Sequence, residues 1–212
     1  MAGPSAAAYI PKQQTLTLPV LRDAAEGCEG CDLYRDATQT VFGEGPANAA
    51  VMIVGEQPGD NEDRQGRPFI GRAGELLDNV LERAGLHRRE VYITNVVKHF
   101  RFERKNGRRS SLKPTMGQIR ACLPWLEKEV ELVRPKVLVC LGAVAAQAII
   151  SPDFRITQQR GEVFKTTWAP WTMATLHPAA LLRIPDELQR HEAVERFVQD
   201  MTQVATQQHR VA

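Results

Sequence analysis

Three short apolar runs, each followed by glycine or polar residues, constrain the fold of this chain most. The runs are "NAAVMIVG", "VYITN" and "KVLVCLG". Apolar runs of this length without alternation are typical of parallel strands that are buried on both faces. Helical patterns separate them, as in "GRAGELLDNVLERAGL", where apolar residues recur at 76, 77, 80, 81 and 84. Strands that alternate with helices predict a three-layer α/β/α sandwich with a mainly parallel central sheet.

The two ends of the chain complete this organisation. "RGEVF" and "WTMATLHP" predict two further strands, and the residues from Asp186 onward predict a long C-terminal helix. Residues 1–19 contain three prolines and predict an extended or poorly ordered lead-in, whereas residues 20–212 predict a single domain. The lead-in lacks the pattern of a signal peptide, and no apolar run reaches the roughly 18 residues of a membrane span. We therefore expect a cytoplasmic protein with no membrane partner.

Three loops follow predicted strand ends, at residues 55–69, 98–113 and 177–183. Ligands bind such sheets outside the carboxyl ends of the strands, so we expect these loops to form one site. The first loop offers carboxylates at Glu56, Glu62 and Asp63, but it lacks the Gly-Lys-Ser/Thr ending of a phosphate-binding P-loop. Phe69 in this loop is either a core residue or a platform on which a base stacks.

The loop at 98–113 concentrates positive charge. Its seven lysines and arginines against one glutamate give +7 − 1 = +6, whereas the whole chain carries a net charge of +2. Phe100 and Phe102 are interleaved with these charges. Basic and aromatic residues together, next to other site-forming loops, favour a nucleic-acid partner over a loop that is merely solvated.

Cys28 and Cys31 are separated by two residues, and the other cysteines are Cys122 and Cys140. In a reducing compartment such a pair indicates a metal or redox site. A thioredoxin-type pair follows a strand, whereas this pair follows a predicted helix at 20–25, so the sequence favours metal ligation. Two incidental surface thiols are the alternative.

Together these segments resemble the uracil-DNA glycosylase superfamily, and within it the iron–sulfur family-four enzymes and their UdgX branch. The resemblance extends from about Cys28 to Arg183. Its motifs are Cys28-x-x-Cys31, "GEQPGDNED", "GRPFIGRAG", "YITNVVKH", "ACLPWL", "VLVCLGAVAA" and "HPAALLR". The glutamine in "GEQPG", and the histidine in "VKHF" where ordinary family-four enzymes have a cysteine, are features of the UdgX branch.

The resemblance implies a role for each site residue. Glu56 would be the catalytic carboxylate, and His177 would hydrogen-bond the uracil carbonyl and help uracil leave as an anion. Phe69 would stack on the flipped base, and Asn95 would read its Watson–Crick edge. The other implied substrate-binding residues are Gly55, Gln57, Gly59 and Asp63, the last as a supporting carboxylate. The implied DNA-backbone contacts are Arg108, Arg109, Lys113 and Arg183.

The resemblance also implies a structural 4Fe-4S cluster. Family-four enzymes bind it with four cysteines, of which Cys28, Cys31 and Cys122 match three, and His99 matches the fourth. Histidine ligates one iron of Rieske centres, so it can serve here. Cys140 is the rival fourth ligand, although it lies in a predicted buried strand. Zinc would satisfy the same residues.

One departure from the UdgX pattern changes the expected chemistry. UdgX proteins carry an insertion with the motif Arg-Arg-Ile-His, whose histidine attacks the sugar and joins the protein covalently to DNA. Counting back from Cys122 places Ser111 at that position. A serine hydroxyl stays protonated near neutral pH unless a base activates it, so we expect water to attack instead.

The sequence therefore predicts a monomeric uracil-DNA glycosylase that acts preferentially on single-stranded DNA and releases uracil without a stable adduct. Two other functions remain open. One is a protein that binds or covalently traps uracil-containing DNA without turnover, which multiple-turnover release of uracil would exclude. The other is an iron–sulfur electron carrier, which full activity in a redox-inert variant would exclude.

Overall fold

The structure is a computed structural model that describes residues 5–12 and 15–211. In chain order its strands are β1 (Val51–Gly55), β2 (Val91–Asn95), β3 (Phe102–Lys105), β4 (Arg108–Ser111), β5 (Val137–Leu141), β6 (Val163–Phe164) and β7 (Trp171–Thr175). The helices are α1 (Leu18–Glu26), α2 (Asp60–Gln65), α3 (Arg72–Arg83), α4 (Met116–Val133), α5 (Gly142–Ile149), α6 (Ile156–Gln159), α7 (Pro178–Leu181) and α8 (Glu187–Val211). None of the helices in these ranges is long and apolar enough to cross a membrane.

Five strands form the central sheet in the order β2-β1-β5-β7-β6. The first four are parallel to their neighbours, and only β6 runs antiparallel, against β7. The chain moves from β1 to β2 on one side and later to β5 on the other. This reversal of strand order opens a crevice at the carboxyl ends of β1 and β5, which is where ligands bind in such sheets.

Helices cover both faces of the sheet, as the alternation of side chains along each strand requires. In β1, Met52 and Val54 belong to the core formed with α1, α4 and α5. Val51 and Ile53 belong to the core formed with α3 and α8 on the opposite face. The predicted three-layer α/β/α sandwich with a mainly parallel sheet is confirmed.

Part of the predicted lead-in is folded against the domain. Ala6–Ala8 form a short 3-10 helix on α4, with Ser5 as its N-cap and Ala6 fully buried. These residues are therefore helical and not extended. Gly30 permits their close approach, because a Cβ there would lie 2.5 Å from the Ala6 nitrogen. The rest of the prediction falls partly on residues 1–4 and 13–14, which lie outside the described residues.

The basic loop is a β-hairpin rather than an irregular loop. β3 and β4 pair antiparallel, with Phe102 opposite Ser111 and Lys105 opposite Arg108. Asn106 and Gly107 turn the chain with positive φ angles of 50° and 74°. Two such residues in succession are the signature of a tight hairpin turn, and Asn-Gly is the sequence that best tolerates it.

Arg134 ends α4 in a left-handed conformation, with φ 53° and ψ 52°. A residue with a Cβ costs about 1–2 kcal/mol in that conformation, and glycine avoids this cost. We expect Arg134→Gly to be more stable than Arg134→Ala by about 1 kcal/mol in chemical denaturation. Both variants lose the 3.3 Å hydrogen bond from Arg134 Nε to the Glu131 carbonyl, so equal stability would contradict strain at this helix end.

Candidate active site

A cavity of about 500 Å³ opens at the carboxyl ends of the parallel strands. All three loops that the sequence singled out contribute to it, so the predicted convergence is confirmed. Of the predicted site residues, those that line it are Glu56, Gln57, Gly59, Phe69, Asn95, Ser111, Lys113, His177 and Arg183. Gly55, Asp63, Arg108 and Arg109 are not among the residues that line it.

A fourth segment, at the junction of β5 and α5, forms a wall of the cavity that the sequence analysis missed. Gly142, Ala143 and Val144 supply it. Gly142 has φ +85°, and a Cβ there would lie 3.0 Å from the Cβ of His177, so a side chain would press on that imidazole. The available signal was a glycine directly after a buried strand, the same pattern that marked Gly55.

The end of β1 allows a close approach that only glycine permits. Gly55 is opposite Asn95 in the sheet, and a Cβ on Gly55 would lie 2.4 Å from Asn95 Oδ1 and 2.5 Å from Phe69 Cζ. Gly55 therefore lies beneath the cavity and lets the amide and the ring reach it. The carbonyls of Gly55 and Glu56 accept hydrogen bonds from the nitrogens of Val96 and Val97, at 2.9 and 3.0 Å.

Asn95 offers an acceptor that needs a donor. Its side chain is 1% exposed and lines the cavity, and its Oδ1 has no hydrogen-bond partner within the described ranges. A buried carbonyl oxygen without a partner costs free energy, so a ligand with an N–H group at this point would gain affinity from it. Phe69 presents an aromatic ring in the same cavity.

His177 is a neutral hydrogen-bond donor in this structure. The Ala179 nitrogen donates to His177 Nδ1 at 3.1 Å, so the ring proton lies on Nε2. Burial, together with the positive charge of Arg183, lowers the pKa of His177 to about 4. At neutral pH the ring can therefore donate one hydrogen bond without introducing a charge.

Glu56 is a partly buried carboxyl group at the entrance of the same cavity. Burial raises its pKa, and the positive charges of Lys113 and Arg183 act in the opposite direction. Both cations also line the cavity. The same cavity thus contains a carboxyl group, two cations and a neutral imidazole, a combination that suits a reaction in which opposite charges develop on two fragments.

Gln57 attaches the hairpin to the first loop. Its Nε2 donates to the Leu112 carbonyl at 2.9 Å and to Ser111 Oγ at 3.0 Å, and its Oε1 accepts from the Arg101 nitrogen at 3.0 Å. The amide thus serves the base of the hairpin, although Gln57 also lines the cavity. Within the described part of the chain, no carboxylate or imidazole is hydrogen-bonded to the Ser111 hydroxyl.

Arg109 lies underneath the hairpin instead of facing solvent. Its side chain is 7% exposed and forms ion pairs with Asp60 and with Asp63, the latter at 2.6 Å. Its guanidinium also lies 4.9 Å from the centre of the Phe102 ring. The expectation that Arg109 contacts phosphate is therefore corrected, because both carboxylates already neutralise it. The exposed cations of the hairpin are Arg104, Lys105 and Arg108.

Two acidic residues of the first loop hold the backbone through hydrogen bonds. Asp63 is fully buried and accepts from the Thr38 nitrogen at 3.0 Å, which fits a supporting carboxylate and not a direct contact with the substrate. Glu62 accepts from the nitrogens of Gly59, Ile70 and Gly71 at 2.7 to 3.0 Å. It thereby closes the loop that carries Glu56 and Phe69.

Three cysteines, Cys28 and Cys31 after α1 and Cys122 in α4, lie near one another. Burial raises the pKa of Cys122 to about 12, and the charges of Cys31 and Cys28 contribute to this rise. Cys28 Sγ accepts from Trp125 Nε1 at 3.2 Å, and Cys122 Sγ accepts from the Lys98 nitrogen at 3.2 Å. N–H groups directed at sulfur stabilise a thiolate, the form in which cysteine binds iron or zinc.

His99 could complete a metal site, although its side chain is not gathered with the cysteines. Thr40 Oγ1 donates to the Ala25 carbonyl at 2.8 Å, so it accepts from His99 Nε2 at 3.0 Å. The lone pair of Nδ1 is therefore available, and burial lowers the pKa of the ring to about 4. Nevertheless, in residues 5–12 and 15–211 no three His, Cys, Asp or Glu side chains are arranged to hold a metal ion.

Comparison with known proteins identifies relatives along most of the chain. The profile of the "Uracil DNA glycosylase superfamily" matches residues 42–202. A type-4 uracil-DNA glycosylase of Archaeoglobus fulgidus is 38% identical over 173 residues, which cover 78% of this chain and 83% of the relative. Its counterpart in Pyrobaculum aerophilum is 36% identical over 177 residues, covering 80% and 87%. A third, from Thermotoga maritima, is 36% identical over 167 residues, covering 78% and 83%.

The state of His177 can be measured directly. We expect nitrogen-15 NMR to show a neutral ring protonated on Nε2 throughout the physiological range, with a pKa of about 4, whereas free histidine titrates near about 6.5. Arg183→Ala should raise the pKa of His177, because it removes the nearby positive charge. A charged imidazole at pH 6, or protonation on Nδ1, would contradict this assignment.

Proposed function

The chain belongs to the uracil DNA glycosylase superfamily and is a uracil-DNA glycosylase, and we propose that it excises uracil preferentially from single-stranded DNA by hydrolysis. One observation carries the proposal for the site. A single cavity contains the Asn95 oxygen, which has no partner among the described residues, together with the neutral donor of His177, the ring of Phe69 and the carboxyl group of Glu56. Uracil offers a donor, an acceptor and an aromatic face to such a cavity.

Recognition of the base uses three contacts. Asn95 Oδ1 accepts from the N3–H group of uracil, Phe69 stacks on the flipped ring, and His177 Nε2–H donates to a uracil carbonyl. The cavity lies below the surface, so the nucleotide must leave the base stack to enter it. This requirement favours single-stranded DNA, in which no base pair has to be broken.

Cleavage of the glycosidic bond separates charge. The sugar becomes positive, and Glu56 stabilises it or polarises the attacking water. The uracil leaves as an anion, and the neutral His177 stabilises it through its Nε2–H group. Lys113 and Arg183 at the rim of the cavity contact DNA phosphate, together with Arg108 of the hairpin.

We assign the protein to the UdgX branch from Gln57, His99 and the hairpin, and Ser111 is its departure from the Arg-Arg-Ile-His motif of that branch. The Ser111 hydroxyl accepts a hydrogen bond from Gln57, and the described residues give it no base. A hydroxyl without a base is a weak nucleophile, so water attacks and the protein keeps no covalent bond to DNA.

We also propose that Cys28, Cys31, Cys122 and His99 hold a 4Fe-4S cluster. The N–H groups directed at two of the sulfurs, and the free lone pair of His99 Nδ1, support this assignment. The cluster would link the segment before β1 to α4. The cytoplasmic location and the monomeric state remain predictions.

Release of free uracil under multiple turnover tests the proposed function. We expect the protein to release uracil from a single-stranded oligonucleotide and to leave an alkali-sensitive abasic site. Glu56→Gln should lower the single-turnover rate by about 10²-fold with little change in DNA affinity, because it removes a charge that acts on the transition state. Binding of DNA without release of uracil would establish the alternative of a non-catalytic protein, and equal losses of rate and affinity would remove Glu56 from the chemistry.

The absence of a covalent product can be tested on a denaturing gel. We expect no heat-stable protein–DNA band with the natural protein, whereas Ser111→His should produce one, because an imidazole then stands at the rim of the cavity. Ser110→His is the matched control, since Ser110 faces the opposite side of β4. A stable band with the natural protein would make it a covalent trap.

A further inference from the structure

We propose that the buried ion pair of Lys98 and Glu129 positions Asn95 and thereby sets the selectivity of the site for uracil over cytosine. This inference rests on the proposed function, because it takes Asn95 as the residue that reads the base. Lys98 and Glu129 belong to none of the cavity walls, and both side chains are completely buried.

Each of the three ammonium hydrogens of Lys98 has a defined hydrogen-bond acceptor. Its Nζ lies 2.7 Å from the Asn95 carbonyl oxygen, 2.7 Å from Thr94 Oγ1 and 2.5 Å from Glu129 Oε2. The ring of Phe42 covers it at 5.5 Å. A charged donor therefore holds the backbone of the residue whose side chain enters the cavity, and charge-assisted hydrogen bonds are the stronger kind.

Glu129 fixes the ammonium in turn. Its Oε1 accepts from the Gly43 nitrogen and from Tyr92 Oη at 3.0 Å, and Thr94 Oγ1 donates to the carboxylate at 3.0 Å. Every polar atom of this carboxylate and ammonium is thus satisfied. A network in which all members are satisfied has one low-energy arrangement, which makes it suitable for holding a neighbouring group in place.

The Asn95 backbone is held from two sides. The turn after it is bonded to β1, because the nitrogens of Val96 and Val97 donate to Gly55 and Glu56. Lys98 holds the Asn95 carbonyl from the opposite side, where α4 supplies Glu129. No hydrogen bond from the described residues fixes Asn95 Oδ1, so the backbone contacts determine where the amide lies.

The position of the Asn95 amide matters because an amide can form hydrogen bonds with either uracil or cytosine. Uracil presents an N3–H group to Oδ1, whereas cytosine presents a bare N3 and an amino group. A shifted or rotated Asn95 could donate from Nδ2 to cytosine N3 and accept from its amino group. The amide favours uracil only when its position and orientation are fixed. A site with hydrogen-bonding groups fixed in this way discriminates strongly between uracil and cytosine.

The test compares single-turnover excision of uracil and of cytosine from otherwise identical single-stranded oligonucleotides. Lys98→Met with Glu129→Gln removes both charges together, so no unpaired charge remains buried. We expect the rate on uracil to fall by about tenfold or more, because a small misplacement of a positioned group has effects of this size. DNA affinity should stay within about twofold, and the ratio of uracil to cytosine excision should fall.

Tyr92→Phe is the matched control. It removes a hydrogen bond to Glu129 at the same depth, but it leaves the contact of Lys98 with Asn95 unchanged. We expect it to lower the thermal stability while the uracil to cytosine ratio stays the same. Should the double variant not unfold cooperatively, Thr94→Val removes one partner of the ammonium and should shift the ratio in the same direction by about threefold.

The outcomes distinguish failure of the proposed function from failure of the positioning role. If the natural protein releases no uracil, the proposed function fails before the pair is tested. If it releases uracil and the folded variants keep the natural ratio, or lose it no more than Tyr92→Phe does, the pair stabilises the fold without positioning Asn95. A ratio that falls in the variants and not in the control establishes the positioning role.

Discussion

The site depends on how closely β1 and β2 approach at their carboxyl ends. Gly55 opposite Asn95 leaves no room for a Cβ, and the amide and the Phe69 ring fill that space. Glu56 directly follows the last residue of β1. The chain then turns, so that Phe69 lies beside Gly55. Because parallel strands all end at the same edge, the β5 and β7 segments with Gly142 and His177 reach the same cavity. One steric condition therefore brings together groups that are far apart in the chain.

The charges are used in two distinct ways. Those that shape the site are buried and fully paired, as Arg109 is with Asp60 and Asp63 beneath the hairpin. The cations that we propose to contact DNA are exposed, on the hairpin and among the residues that line the cavity. A buried arginine costs desolvation free energy but fixes the position of the hairpin. An exposed arginine contributes binding free energy only when a phosphate is bound.

Much of this arrangement was predictable from residue patterns. Continuous apolar runs identified the parallel strands, and glycine at strand ends identified the loops that converge. The hairpin was missed although Asn106-Gly107 is a strong turn signal, because the flanking residues are charged and do not alternate as strands of a core do. The burial of Arg109 could not be predicted, since its partners Asp60 and Asp63 lie more than 40 residues earlier and composition does not distinguish a buried arginine from a solvated one. The role of Gly142 was missed for a different reason: its strand end was read only as core.

The paired burial of Lys98 and Glu129 restricts how this chain can change during evolution. Replacing either residue alone leaves a charge in the core without its counterion, whereas replacing both with neutral residues removes the conflict. The two positions are 31 residues apart, in the turn after β2 and in α4, yet neither can be replaced without the other. A change at one position alone would pass through an intermediate of low stability, so the two residues constrain each other although they are far apart in the chain.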